Sequence, residues 1–484
     1  MPPSTDKTHR PSGLRPAALV GIYLGIALSP LIVALWQGLS ANHPLREFSS
    51  GLVMVGFAIT FAQFVLSGRF RSVSGKVGID LVMRFHQIAA WTAFAFILAH
   101  PFLYAVPRLA LGPAEALNTL GLMFSSTELR SGVIALALLV LLVPLAAWRD
   151  RLFWSYEAWR LGHGLGAAAI AILGAHHAIN IGTHSAQSGV TSVWILLLGL
   201  GLFSLLYVYV ITPIRQYRNP YRVASVKRAA HRLWEVTVEP VRGPALEFAP
   251  GQFVWLNLGH SPFSLIEHPF SISSAPADRP RLAFIIKESG DFTNRIGALP
   301  VGSRAYLDGP HGNFTLVGRQ ARGIALIAGG VGIAPLLSIL WQLATERCPY
   351  PVRLIYGNRI EPQILCRAEL QDLTRTLDLR VHFVLSEPPA EWAGKTGGLT
   401  PDVLRECLDV PASADWLYFI CGPPAMMSSA ERTLLALGVP LRQLVTEQFR
   451  YDYALPSRRQ TALARLAAVL TLVFVLAALL FALR

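Results

Sequence analysis

The chain has 484 residues, of which 53% are hydrophobic and only 15% charged, whereas a soluble chain carries about a quarter charged residues. That composition excludes a protein solvated by water alone. Its net charge of +13 is spread between apolar segments instead of run together, which argues against nucleic acid as a partner and for the cationic flanks of membrane spans.

Residues 1–16 form a basic N-terminal segment, with Lys7, Arg10 and Arg15. Six apolar stretches then fill 17–213, at roughly 17–36, 51–66, 86–106, 131–148, 159–181 and 190–211. Most approach the ~20 residues that cross a bilayer, so they predict an all-α, six-span membrane bundle. The first run is too long for a signal-peptide core and reads as an uncleaved span. Arg10 and Arg15, then Arg69, Arg71, Lys76 and Arg84, then Arg149, Arg151 and Arg160, then Arg215, Arg218, Arg222, Lys227 and Arg228 flank alternate ends of the spans. The positive-inside rule puts these loops, and everything after span six, in the cytoplasm, which implies an integral protein of a cytoplasmic (inner or plasma) membrane. His43, Arg108 and His184 fall in the opposite loops and read as ordinary loop residues.

From 219 to 318 the text turns to short β-rich runs at 221–226, 233–238, 252–258, 270–273, 282–287 and 304–307, punctuated by Pro and Gly. That spacing predicts a small antiparallel β-barrel domain. From 319 to 453, apolar β runs at 324–328, 353–356, 381–385 and 417–420 alternate with helical patterns at 334–345, 367–374 and 400–407. These predict an α/β domain with a parallel sheet, of the kind that binds nucleotides at the carboxyl ends of its strands. A last apolar run, 462–483, follows Arg458 and Arg459 and reads as a C-terminal transmembrane helix. The four cysteines, Cys348, Cys366, Cys407 and Cys421, include no C-x-x-C, which fits a reducing compartment and excludes a zinc ribbon or an iron–sulfur cluster.

Histidines stand inside two of the spans: His86 and His100 on the third, and His163, His176 and His177 on the fifth. Ionisable side chains are costly there and mark function. The fourteen residues from His86 to His100 make about 3.9 turns, so both rings leave one face of the helix, about 21 Å apart along its axis. His86 then matches His163 in depth, and His100 matches His176 or His177. Two facing imidazoles at one depth can ligate haem iron from both axial sides, so the pattern implies two stacked b-type haems. His177 keeps the fourteen-residue spacing from His163, while His176 stands thirteen away.

Four further motifs follow in the polar half. His268-Pro269-Phe270-Ser271 offers an aromatic face and a hydroxyl on one strand, with Ser274 close behind. Gly290-Asp291-Phe292-Thr293 is a glycine turn before a helix start, a place where backbone N–H groups can meet a phosphate. Gly329-Gly330-Val331-Gly332-Ile333-Ala334-Pro335 joins a buried strand to a helix without the spacing of the ordinary dinucleotide fingerprint. Cys421-Gly422-Pro423-Pro424 closes the last core strand.

In this order, and preceded by paired histidines on the third and fifth spans, these motifs resemble the ferric reductase and NADPH oxidase superfamily, whose flavoprotein part is of the ferredoxin–NADP reductase type. The resemblance covers roughly 51–453. It implies a membrane flavohaem oxidoreductase that moves electrons from cytoplasmic NADH or NADPH through FAD and two haems b to an external acceptor. That acceptor would be a ferric chelate, oxygen or a periplasmic redox protein. It implies that His268 approaches the FAD pyrophosphate, Phe270 stacks on the isoalloxazine, Ser271 reaches N5, and Ser274 and Thr293 assist the phosphates. The 329–335 loop and Cys421-Gly422-Pro423 would hold the nicotinamide nucleotide. Arg359 would meet a 2′-phosphate or cap the sheet edge. Ser271, Cys421, Glu447 and Phe449 would take the catalytic roles, with Phe449 shielding the flavin. The family's thirteen-residue spacing favours His176 as the outer ligand. Two departures stand out: Ser271 replaces the threonine of many relatives, and the chain continues past Phe449 into another span, leaving Tyr451 or Tyr453 open as its substitute. The rival readings are a membrane sensor responsive to NAD(P)H and a haem-free, membrane-anchored flavin reductase.

Overall fold

The computed structural model describes residues 13–38, 43–186, 188–408, 415–447 and 458–484. Two compact units emerge among the described residues: a helical unit drawn from 14–77, 81–211 and 459–484, and a β-rich unit drawn from Gly13, 78–80 and 212–458.

The helical unit contains α1 (Pro16–Trp36), α2 (Pro44–Ser67), α3 (Ile79–Ala105), α4 (Pro113–Ser125), α5 (Arg130–Ala147), α6 (Tyr156–Asn180) and α7 (Ser188–Leu206). The ends follow local chemistry. His43 Nδ1 accepts from Leu45 N ahead of Pro44 in the first turn of α2, and Ser155 Oγ accepts from Ala158 N at the start of α6; both satisfy orphan N–H groups. Helix α2 is central, with Val55, Ala58, Ile59 and Phe61 fully buried. Leu165, Leu196 and Leu141 stand outward and exposed, as side chains solvated by lipid do. Among the described residues, α1, α2, α3, α5, α7 and the closing helix are long and apolar enough to cross a membrane. Helix α6 spans 25 residues but carries Glu157, Arg160, Asn180 and three histidines, which dilute its hydropathy.

One stretch departs from expectation. The sequence reads 107–130 as a loop, yet it folds into a 3-10 turn, Val106–Leu111, and helix α4. Pro113 starts that helix, where its missing N–H costs nothing. At 13 residues it is too short to cross.

The closing helix lies in the same bundle. Its Leu470, Phe474, Ala478 and Phe481 are buried, spaced as one helical face. Thr471 Oγ1 is 3.3 Å from Thr92 Oγ1 of α3, and the Phe474 ring is 6.0 Å from that of Tyr23 on α1. Beyond it, Arg484 lies 3.3 Å from the buried Glu47 carboxylate of α2. His184 Nε2 stands 3.1 Å from the same group, and the Phe481 ring packs against both the His184 imidazole and the Arg484 guanidinium. His184 is therefore buried against Glu47, although its sequence position suggests an ordinary loop residue.

The β-rich unit begins with six antiparallel strands, β1 (Tyr221–Ala230), β2 (Leu233–Pro240), β3 (Phe253–Leu258), β4 (His268–Ser271), β5 (Leu282–Lys287) and β6 (Arg304–His311), in the order β4-β3-β6-β1-β2-β5. A bridge from Ile272 to Phe284 brings the two ends of the sheet together, curling it into a barrel. Val236, Val238, Phe284 and Ile286 fill the interior at the period of two that a strand imposes.

An all-parallel sheet follows, built from β7 (Gly323–Gly329), β8 (Val352–Asn358), β9 (Leu379–Leu385), β10 (Lys395–Thr396), β11 (Trp416–Cys421) and β12 (Leu444–Thr446), in the order β10-β9-β8-β7-β11-β12. Helix α8 (Ile333–Thr345) covers one face, and α10 (Pro401–Leu408) and α11 (Pro424–Ala436) cover the other, while the short α9 (Arg367–Leu373) lies before β9. Alternate β7 residues, Leu326 and Ala328 against Ala325 and Ile327, enter opposite cores. This two-sided burial is why the strand reads as an unbroken apolar run.

Candidate functional sites

In the helical unit, α3 and α6 present their histidines to each other in matching order. His86 lies within coulombic reach of His163, and His100 within reach of His177. The two helices therefore run parallel. The outer pair shares an apolar cavity of about 300 Å³, walled also by Phe57, Tyr104, Ile170 and Trp194. The position of Gly132 on α5 is part of that fit, because a Cβ there would lie 2.6 Å from His177 Nδ1. At the other depth, the Trp159 ring stacks on His163 at 5.3 Å, with the Arg149 guanidinium 5.2 Å from Trp159.

His176 departs from what the resemblance implied. It is exposed, and its Nδ1 sits 3.1 Å from Ser131 Oγ. Helix α6 is unbroken from Tyr156 to Asn180, so the fourteen-residue spacing returns His177 to the face that carries His163, and His176 points about 100° away.

The donor set suits a b-type haem. A ligating imidazole must be neutral, with one nitrogen free for iron and the other held by a neighbour or proton. The buried Nδ1 atoms of His86, His163 and His177 have no hydrogen-bond partner among the described residues, and His100 Nδ1 lies 2.9 Å from Ser49 Oγ. Ser49 escaped the sequence reading because it falls just before the apolar stretch at 51–66 and joins the span only in the observed helix Pro44–Ser67.

In the barrel, β4 holds His268, Pro269, Phe270 and Ser271 half-buried, paired with Leu256, Trp255, Val254 and Phe253 of β3. The fold brings two separated motifs together here: the His268 ring stacks on Phe292 at 4.7 Å and lies 6.3 Å from Phe270. The Gly290 turn is closed on itself, because Ser289 N and Gly290 N both donate to Thr293 Oγ1, at 2.9 and 3.0 Å. Those two donors are spent within the turn and do not project toward a phosphate as the sequence suggests. Ser274 is likewise engaged: its Oγ accepts from Ala283 N at 3.1 Å, and its carbonyl accepts from Ser338 Oγ of α8 at 2.7 Å. That last bond fastens the barrel to the parallel sheet.

At the carboxyl ends of β7 and β11 the two glycine-bearing loops meet. A Cβ on Gly332 would stand 2.3 Å from the Cys421 carbonyl oxygen, and one on Gly329 2.8 Å from Pro423 Cδ. Gly330, at φ +53, faces open space, leaving its backbone accessible to a ligand. Pro335 is buried in the first turn of α8. Gly422 abuts Met426. Cys421 is buried, and burial, with Glu447 close by, pushes its thiol up to about 12. Burial also raises the Glu447 carboxyl well above the usual carboxylate range. A Cβ on Gly312, after β6, would lie 2.7 Å from Glu447 Oε1, so Glu447 stands where barrel and parallel sheet converge. Arg359, after β8, is exposed and 3.7 Å from Glu387. Phe449, Tyr451 and Tyr453 lie outside the described residues.

Three family descriptions match the chain in succession: a ferric reductase like transmembrane component at 52–174, an FAD-binding domain at 218–312 and an oxidoreductase NAD-binding domain at 326–432. The chain belongs to the ferric reductase and NADPH oxidase superfamily. This reductase-like chain is similar to NADH-cytochrome b5 reductase 1 of Candida glabrata, 33% identical over 162 residues, which are 33% of this chain and 56% of that one. The Candida albicans protein of the same name is 34% identical over 154 residues, 31% of this chain and 52% of that one. The chain thus spans about half the length of these curated relatives. Among solved structures, the ferredoxin reductase in carbazole 1,9a-dioxygenase matches at 26% identity and a TM-score of 0.43, covering 48% of this chain and 69% of that one. A flavohemoglobin from Malassezia yamatoensis with bound FAD and heme matches at 18% identity and a TM-score of 0.46, covering 76% and 96%.

Proposed function

We propose that the chain is a transmembrane flavohaem oxidoreductase, taking electrons from cytoplasmic NADH or NADPH and delivering them to an acceptor on the other side of the membrane. The observation that carries this reading is the pair of histidine pairs, His86 with His163 and His100 with His177, set at two depths of parallel helices in a chain that also bears FAD- and NAD-binding domains. When bound, FAD would accept a hydride from the nicotinamide and release electrons singly, and the two haems would carry them across the apolar layer. The acceptor would be a ferric chelate, oxygen or a periplasmic redox protein.

The protein's part is ligation, orientation and exclusion of water. His86 and His163 would hold the inner haem, and His100 and His177 the outer one, with His177 in place of His176 because it alone of the two shares the His100 cavity. Phe270 would give the flavin ring an aromatic face, Ser271 a hydroxyl, and His268, braced by Phe292, a donor for the pyrophosphate. Gly330 would let the nicotinamide nucleotide approach the backbone, and Cys421 would line its ring. Glu447, its carboxyl raised well above the usual range by burial, would favour a neutral carboxyl O–H over a charge beside the reacting centre.

Membranes containing the chain are mixed anaerobically with NADH or NADPH while the haem bands are watched, then given oxygen or ferric citrate separately. The expected outcome is haem reduction by one nucleotide and reoxidation by one acceptor. His86→Ala, His163→Ala and His177→Ala should each lose a haem, whereas His176→Ala should keep both. Wild-type protein with bound flavin and no Soret band would make the chain a haem-free anchored flavin reductase and sink the proposal. Haem that stays oxidised under NAD(P)H would point to a sensor.

A further inference from the structure

Ser49 is fully buried on α2, yet its single hydroxyl meets two atoms of one residue on another helix. Its Oγ lies 2.9 Å from the His100 carbonyl oxygen and 2.9 Å from His100 Nδ1. A carbonyl can only accept, so the hydroxyl proton goes to it. The Oγ lone pair is then left to accept from the ring, which puts a proton on His100 Nδ1. In a neutral imidazole the lone pair must then sit on Nε2. His100 borders the apolar cavity shared with His177, whose own Nδ1 is buried without a partner among the described residues.

We infer that Ser49 is a positioning residue for the outer haem: it fixes the tautomer and ring orientation of His100 and makes that histidine the more basic of the two axial ligands. The inference rests on the haem reading above and adds to it an asymmetry. An acceptor on Nδ1–H strengthens the donor power of Nε2 and favours the ferric state, lowering the reduction potential. On the His177 side no such acceptor stands among the described residues.

The test is a redox titration of the purified full-length chain, followed by optical and electron paramagnetic resonance spectra. Ser49→Ala should raise the midpoint potential of one haem and shift its low-spin signal, leave the other haem unchanged, and weaken retention of the affected haem about 10–100-fold. Ser49→Thr, which keeps the hydroxyl, should restore both readouts. Reduction of a soluble dye by NAD(P)H at the flavin domains serves as the folding control. Should Ser49→Ala not accumulate, Ser49→Cys, with a weaker acceptor, carries the same comparison. Two haems in wild type with unaltered potentials and spectra in Ser49→Ala overturn the inference. A wild-type chain without haem would instead defeat the function proposed above.

Discussion

Glu447 shows how one residue's surroundings can reverse its ordinary chemistry. Buried where barrel and parallel sheet converge, its carboxyl is raised well above 4.5 by desolvation first. The native state therefore binds a proton that the unfolded chain has released. Stability is greatest below the unfolded carboxylate value and falls, by about 1.4 kcal/mol per pH unit, as pH rises toward the raised native value. Glu447→Gln should flatten that slope in the melting temperature of the β-rich unit from pH 5 upward. An unchanged slope would show that another group supplies it. Its neighbour Cys421, pushed up to about 12 by burial, stays a thiol across this range.

At the scale of elements, the closing helix α12 (Arg458–Ala482) is tied to the bundle by a charge as well as by its apolar face. Arg484 and His184 flank the Glu47 carboxylate at 3.3 and 3.1 Å, and Glu47 is only 2% exposed. Removing Arg484 takes a guanidinium from a buried carboxylate, a change that costs up to about 3–5 kcal/mol when one member of a buried pair is lost, whereas removing both charges is far milder. Arg484→Met should therefore lower the melting temperature of the detergent-solubilised protein, and Glu47→Gln with Arg484→Met should recover most of the loss. If the double variant melts no higher than the single one, the ion pair does not hold this helix. The spacing of His163 and His177 belongs to this scale too. An unbroken helix, and not the identity of either residue, puts His177 beside His100.

Over the whole molecule, the basic loops predict which side of the membrane each unit occupies. Trypsin should digest the Arg-rich β-rich unit in inside-out vesicles and spare it in sealed right-side-out ones; the opposite pattern would refute the assigned orientation. Much of this architecture was legible in the residues alone. Runs of ~20 apolar residues could have few solvents but lipid, and β7 to β11 alternated with helices in a way that a parallel sheet requires. Helix α4 was not legible, because a 13-residue helix flanked by proline looks like a loop until its neighbours place it. The same holds for the sites. Histidines inside spans announced themselves, since an ionisable group in lipid has few uses, and the glycine loops marked the strand ends. Which histidine turns inward, that the 290–293 turn satisfies its own donors, and that Ser49 holds His100 were decided only by the tertiary structure. The physical reason is that local periodicity fixes which face a side chain leaves from, but hydrogen-bond partners from distant segments are chosen only when the chain packs.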